Sequence, residues 1–248
     1  MAMGWARGFA WLLVVGACGG SSQATPQSPG DDDTGEPSSG SSASGMSVSG
    51  AVGALDKGAV QNAVSSLNGD VTSCVEKGQR RLPFLEGELE VFVVVDVNGR
   101  ATEAYLTEST LGDHEVELCI VKVFQDKQWP RPVGGEQGEI TQSFAFHAGH
   151  GELPDVWTAD QLADKMNADD PAAFGELERK LGSCRSEAGA GALRLTMYLD
   201  EDGLVRTAGA GMSDPAGEEA LACAVTTLQT TSFPAPGNNF VKASLDLR

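Results

Sequence analysis

Basic residues are scarce in this sequence. Against 35 aspartates and glutamates it has 17 lysines and arginines, a formal charge of −18. A phosphate backbone needs a concentrated cationic surface, so nucleic acid is excluded as a partner. Histidine is rarer still, with His114, His147 and His150 the whole set. His147-Ala-Gly-His150 has a ligand-like spacing, but it lies where a strand runs into a Gly-rich link and has no counterpart later in the chain, so it reads as solvated linker. The chain also lacks a G-x-S-x-G elbow, an H-E-x-x-H helix and a phosphate-binding loop. No catalytic residue, metal site or cofactor is therefore expected, and the protein reads as non-enzymatic. Apolar runs are short: the longest, Phe9 to Val15, cannot cross a bilayer alone.

That run has a specific setting. In MAMGWARGFAWLLVVGAC one basic residue, Arg7, precedes it and small residues follow it up to a cysteine, the layout of an export signal over residues 1–17. Val15-Gly16-Ala17-Cys18 resembles the bacterial lipobox, which implies that Cys18 becomes the lipidated first residue of the mature chain. Two or more acyl chains anchor stably where one does not, so the membrane is expected as a partner through lipid alone. Residues 18–55 are Gly, Ser, Pro, Asp and Thr with few aliphatics, including a solvated run at Asp31, Asp32 and Asp33. Such a segment buries too little apolar surface to offset chain entropy and reads as a disordered tether.

Beyond residue 55 the chain repeats itself. CIVKVFQDKQWPRP from Cys119 has an echo in CAVTTLQTTSFPAP from Cys223, each with eleven residues from the cysteine to the proline after the aromatic. Gly99 lies twenty residues before Cys119, and Gly203 twenty before Cys223. Leu89, Val91, Val93 and Val95 alternate ahead of DVNG, and Leu193, Leu195, Met197 and Leu199 ahead of DEDG. Alternation ending in such a turn predicts hairpins centred on Asn98-Gly99 and Asp202-Gly203, with both turn residues at positive φ.

A helix is predicted before each hairpin. Val60, Ala63, Val64, Leu67, Val71, Cys74 and Val75 form one stripe at helical period, and Phe174, Leu177, Leu181 and Cys184 a shorter one after an Asp170-Pro171 start. A bridging helix from Ala159 to Asn167 is predicted from the Thr158/Gln161 capping box. Ile140, Phe144 and Phe146 line a closing strand, as do Val241, Ala243, Leu245 and Leu247. The expected fold is α+β: two tandem copies of a small antiparallel sheet with two helices on one face, ordered helix-strand-strand-helix-strand. The first spans 56–148, a linker with a short helix 149–170, and the second 171–248.

With Cys18 assigned to lipid, four cysteines remain, two per copy at matching places. The separations fit no short zinc pattern. In an oxidising compartment the economical pairing is Cys74 with Cys119 and Cys184 with Cys223, one staple per copy. A thiol-disulfide enzyme or redox sensor of the periplasm, acting through Cys119 or Cys223, is the alternative.

The run G-x-L-x-V-x-V-x-V-D-x-x-G from Gly87 to Gly99, followed by a cysteine-bearing helix and an aromatic-Pro-x-Pro element, resembles the C-terminal domain of TonB-family proteins. It is closer to the cysteine-bearing AgmX/PglI-type C-terminal domains of myxobacterial envelope proteins. The second copy keeps Gly191, Leu193, Leu195, Leu199, Gly203, Cys223, Phe233 and Pro234. The resemblance implies a periplasmic interaction module whose sheet edge takes a strand from an envelope protein partner. The chain then reads as a lipoprotein adaptor or assembly factor in envelope transport or motility machinery. Gly19 after Cys18 points to the periplasmic face of the outer membrane, with surface exposure the competing localisation.

Overall fold

Helical and strand periodicities segregate cleanly along the chain, and the helices bury one stripe each. The computed structural model describes residues 46–49, 54–135, 137–149, 151–188, 191–213 and 218–247. Cys18, read above as a lipobox cysteine, the expected export signal, most of the expected tether and His150 lie outside these residues. Among the described residues the architecture is mixed α+β, with five helices and two four-stranded sheets.

In the first half α1 (Lys57–Arg81) starts at Asp56, whose side chain accepts from the Ala59 N–H at 2.7 Å. It buries Val60, Val64, Leu67, Val71, Cys74 and Val75. The hairpin β2 (Gly87–Asp96) and β3 (Ala101–Ser109) follows, then α2 (His114–Gln125) and β4 (Gln137–Phe146). β2 lies between β3 and β4, antiparallel to both. Its odd-numbered residues Leu89, Val91, Val93 and Val95 are buried in one core with Ile140, Ile120 and Phe124. The two helices approach closely at Gly78, where an added Cβ would stand 2.5 Å from Val116 Cγ2 and 2.6 Å from Leu85 Cδ2.

The second half runs α3 (Ala159–Met166), α4 (Ala173–Ala188), β6 (Leu193–Leu199), β7 (Val205–Met212), α5 (Glu218–Thr230) and β8 (Val241–Leu247). The Thr158/Gln161 capping box opens α3. Asp170 accepts from the Ala172 N–H in a turn, and the helix proper begins at Ala173, later than the Asp-Pro start suggests. Leu193, Leu195, Met197 and Leu199 again face the helices, burying against Leu177, Leu181, Ala224 and Leu228.

Two short strands depart from the predicted pattern. Within the stretch read as tether, β1 (Met46–Ser49) pairs antiparallel with β4 over Glu139–Gln142. Within the linker, β5 (Asp155–Trp157) pairs parallel with β8 over Val241–Ala243, so the second sheet is mixed rather than antiparallel. The sheet orders are β1-β4-β2-β3 and β5-β8-β6-β7. Strands this short are held by main-chain hydrogen bonds to an existing edge and carry no usable sequence period.

The turns also differ from expectation. The Gly99 N–H donates to the Asp96 carbonyl at 2.9 Å and the Gly203 N–H to that of Asp200 at 2.9 Å. The turn centres are therefore Val97-Asn98 and Glu201-Asp202, with glycine in the fourth place at φ 78° and 81°. This is a three-residue hairpin loop, in which only that last position needs the left-handed region. The aspartate supplies the reason. Asp96 Oδ1 accepts from the N–H groups of Asn98 and Arg100, both at 2.8 Å, and Asp200 Oδ1 accepts likewise from Asp202 and Leu204. Those bonds hold the Asp96 carboxyl below its ordinary range, although partial desolvation opposes them.

The glycines have a second reason to be there. A Cβ at Gly99 would run into the Trp129 carbonyl, and one at Gly203 into that of Phe233. The aromatic-Pro elements thus dock on the hairpin turns, and the Trp129 N–H donates to the Gly99 carbonyl at 2.8 Å. Gly99→Ala is expected to destabilise the protein by about 2–3 kcal/mol, combining a disfavoured φ with a backbone clash. Urea unfolding of the variant beside the parent measures this.

Candidate functional site: two stapled helix pairs and their junction

The cysteines come together in pairs. Cys74 of α1 is bonded to Cys119 of α2, with Cα atoms 5.8 Å apart, and Cys184 of α4 to Cys223 of α5, with Cα atoms 5.6 Å apart. Each bond ties the helix before a hairpin to the helix after it. Cys74 and Cys184 are both buried, while Cys119 and Cys223 are partly exposed. Among the described residues no group of three or more His, Cys, Asp or Glu side chains is arranged to hold a metal. His147 is exposed, and its carbonyl accepts from Gln79 Nε2 at 2.8 Å, which pins the chain leaving β4 to α1.

The two halves share a junction. Glu117, on the buried side of α2, is 1% exposed. Its Oε1 accepts from Ser109 Oγ at 2.6 Å and its Oε2 from the Ala210 N–H of β7 at 2.9 Å. Ala210 belongs to a Gly-Ala-Gly run. A Cβ at Gly209 would collide with the Glu117 carboxylate, and one at Gly211 would stand 2.7 Å from the Ser109 nitrogen. The missing side chains let β7 lie directly on the end of β3 and on α2. Burial raises the Glu117 pKa to about 7, against the pull of Ser109 and Ala210, and the charge of Asp113 adds to the rise. A small cavity of about 140 Å³ opens beside this carboxyl, lined by Tyr105, His114, Leu118, Val121 and Leu221.

A second set of contacts closes the other end of the junction. Tyr198 of β6 is fully buried in the core of the first half. Its hydroxyl donates to the Glu86 carbonyl at 3.0 Å, and Lys242 Nζ donates to the same oxygen at 2.6 Å. Burial pushes the Tyr198 phenol pKa up and that of Lys242 down. Phe84 stacks obliquely on Phe240, with centroids 4.8 Å apart, at the floor of a cleft of about 360 Å³ that Leu153 and Pro154 help to line. Asp113 is buried as well, caps α2 through the Val116 N–H, and accepts at both oxygens, at 2.9 and 2.8 Å, from the single nitrogen Nη2 of Arg81.

The assembly joins the two halves through buried polar contacts and a shared aromatic core. Its perturbed groups are bonded across an internal interface, and its cysteines are engaged with each other. The junction residues were legible in two signals only. Glu117 falls on the apolar stripe of α2 between Val116 and Ile120, and the GAG run lies within the continuous strand β7. None of the described helices is long and apolar enough to cross a membrane. No protein-family model, curated protein or solved structure matches this chain.

Proposed function

We propose that the protein is a non-catalytic, lipid-anchored envelope protein that presents a tandem pair of disulfide-stapled, TonB C-terminal-like modules as an adaptor or assembly factor. The observation that carries this reading is the same strand order and the same helix-to-helix disulfide in two successive halves. What recurs in the two halves is the scaffold of sheet, turn and staple, which suits a binding protein. Paired structural disulfides favour an oxidising compartment, in keeping with the lipobox at Cys18. The partner is an envelope protein, engaged by strand addition at the β4 or β8 edge, where β1 and β5 each pair with only part of the strand.

Anchoring is tested by growing cells with an alkyne palmitate and fractionating the envelope. The parent is expected to take up label and sediment with outer membranes, and Cys18→Ser to lose label and appear in the soluble periplasmic fraction. An unlabelled parent, or a Cys18→Ser form that still sediments with membrane, would remove the lipid anchor from this reading.

A further inference from the structure

The two sheets turn the same face to different surroundings. On the second sheet, the face away from α4 and α5 carries Arg194, Thr196 and Tyr198 on β6 and Lys242, Ser244 and Asp246 on β8. The first half packs over it: Thr196 and Tyr198 are fully buried, Arg194 lies 3.7 Å from Glu108, and Lys242 donates to the Glu86 carbonyl. Asp246 of the same face also holds Arg194, at 2.7 Å, so a face with two cations and one carboxylate is covered by an element that contributes Glu86, Glu108, Asp113 and Glu117.

On the first sheet the same positions carry the opposite charge. Arg194 lies nine residues before Gly203, and Glu90 lies nine before Gly99. Lys242 pairs with Tyr198, five residues before its turn glycine, and Glu139 pairs with Val94, five before the other. Around these sit Glu88 and Glu103, both exposed, and at the centre the rings of Phe92 and Tyr105 pack at a tilt of 46° with centroids 5.2 Å apart. β2, β3 and β4 contain six carboxylates and no lysine or arginine. The described helices of this half pack on the opposite side, against Leu89, Val91 and Val93.

We propose that this face of the first sheet is a docking surface for a basic protein partner, whose lysines or arginines flank an apolar side chain seated on Phe92 and Tyr105. The argument is charge complementarity, with the second half showing how such a face is covered. Aromatic centres with a charged rim are where interface energy and orientation concentrate. A second copy of this chain does not fit in the same manner, because the covering element would bring Glu86, Glu108 and Asp113 against Glu88, Glu90 and Glu139. The proposal deepens the adaptor reading by naming the partner's chemistry, and its test does not depend on the lipid anchor.

The test uses the full chain and a hexalysine peptide carrying a benzophenone, at about 0.15 M salt, where exposed charges beyond roughly 8 Å are screened. Photo-adducts are expected on tryptic segments containing Phe92, Tyr105 or Thr141. Glu88→Lys with Glu103→Lys should weaken binding by at least about tenfold, and Phe92→Ser should do the same without altering net charge. Asp70→Lys with Glu76→Lys, an equal reversal on the exposed side of α1, should leave binding nearly unchanged. Equal loss in both double variants means that peptide binding follows the overall −18 charge and overturns the proposal. Adducts on other surfaces overturn it too, as does a dimer in sedimentation that the Glu88/Glu103 reversal abolishes. Circular dichroism of each variant confirms folding, and the Phe92→Ser result stands if a charge variant fails to fold.

Discussion

Replacing Cys74 and Cys119 together by serine is expected to lower the thermal midpoint by roughly 8–16 °C, and Cys184 with Cys223 by a similar amount. The bonds close loops of 45 and 39 residues. At those lengths the chain-entropy account gives about 4 kcal/mol per bond as an upper figure. For a folded unit of this size each kcal/mol moves the midpoint by about 2–4 °C. Breaking both bonds removes about 8 kcal/mol, comparable to the whole stability of an ordinary domain, so the fully reduced protein should be unfolded at 37 °C. Differential scanning calorimetry under non-reducing conditions measures the single-bond effects, and far-UV dichroism in excess dithiothreitol the combined one. A midpoint within about 2 °C of the parent after loss of either bond would show that the helices are held by packing alone. Redox titration against glutathione separates the two readings of the thiols: a structural bond stays oxidised at cytosolic poise, whereas a sensor's bond opens.

The sequence makes the internal plan of each half legible, because that plan rests on local periods. The α1 stripe from Val60 to Val75 is a 3.6-residue signal, the β2 alternation from Leu89 to Val95 a two-residue one, and both bury as the pattern implies. The cysteine pairing follows from repetition. Relations between distant segments without a period escape. β1 and β5 consist of four and three residues held by an edge. The turn register is set by the Asp96 carboxylate, which draws the turn centre one residue toward the N-terminus. The junction escapes for a different reason. Tyr198 and Thr196 sit on the alternating face that would be solvated in an isolated module, so their burial reports the second body, not the strand. The halves are therefore one unit with a shared core at Tyr198, and the face left for a partner belongs to the first sheet.

The junction's own titration is expected to appear as a pH dependence of stability that Glu117→Gln abolishes. Glu117 has an ordinary carboxyl pKa of 4.5 and a folded one of about 7, raised first by burial. Below pH 4.5 the group is protonated in both states, and its contribution to stability is fully present. As pH rises, the unfolded chain releases the proton first and the folded chain only near pH 7, so stability falls across that interval and levels off above it. The span corresponds to about 3 kcal/mol, or roughly 6–12 °C in midpoint.

The neighbouring charges are Asp113, held by Arg81, and His114 at the cavity wall, with Glu108 and Arg194 at the rim. They are present in parent and variant alike, so the difference curve reports Glu117 together with its charge coupling to Asp113. Glutamine keeps the shape, accepts from the Ala210 N–H and lets Ser109 turn to accept from its amide. The variant should therefore match or exceed the parent above pH 7 and fall behind it near pH 5. Glu117→Ala has no such replacement. It strands the Ala210 N–H and the Ser109 hydroxyl in a buried site and should destabilise the protein by about 3 kcal/mol at pH 5, where no buried anion is relieved in exchange. Urea midpoints for parent, Gln and Ala forms from pH 4.5 to 8.5 measure all three effects, and parallel curves for parent and Gln would show that Glu117 keeps its proton affinity unchanged on folding.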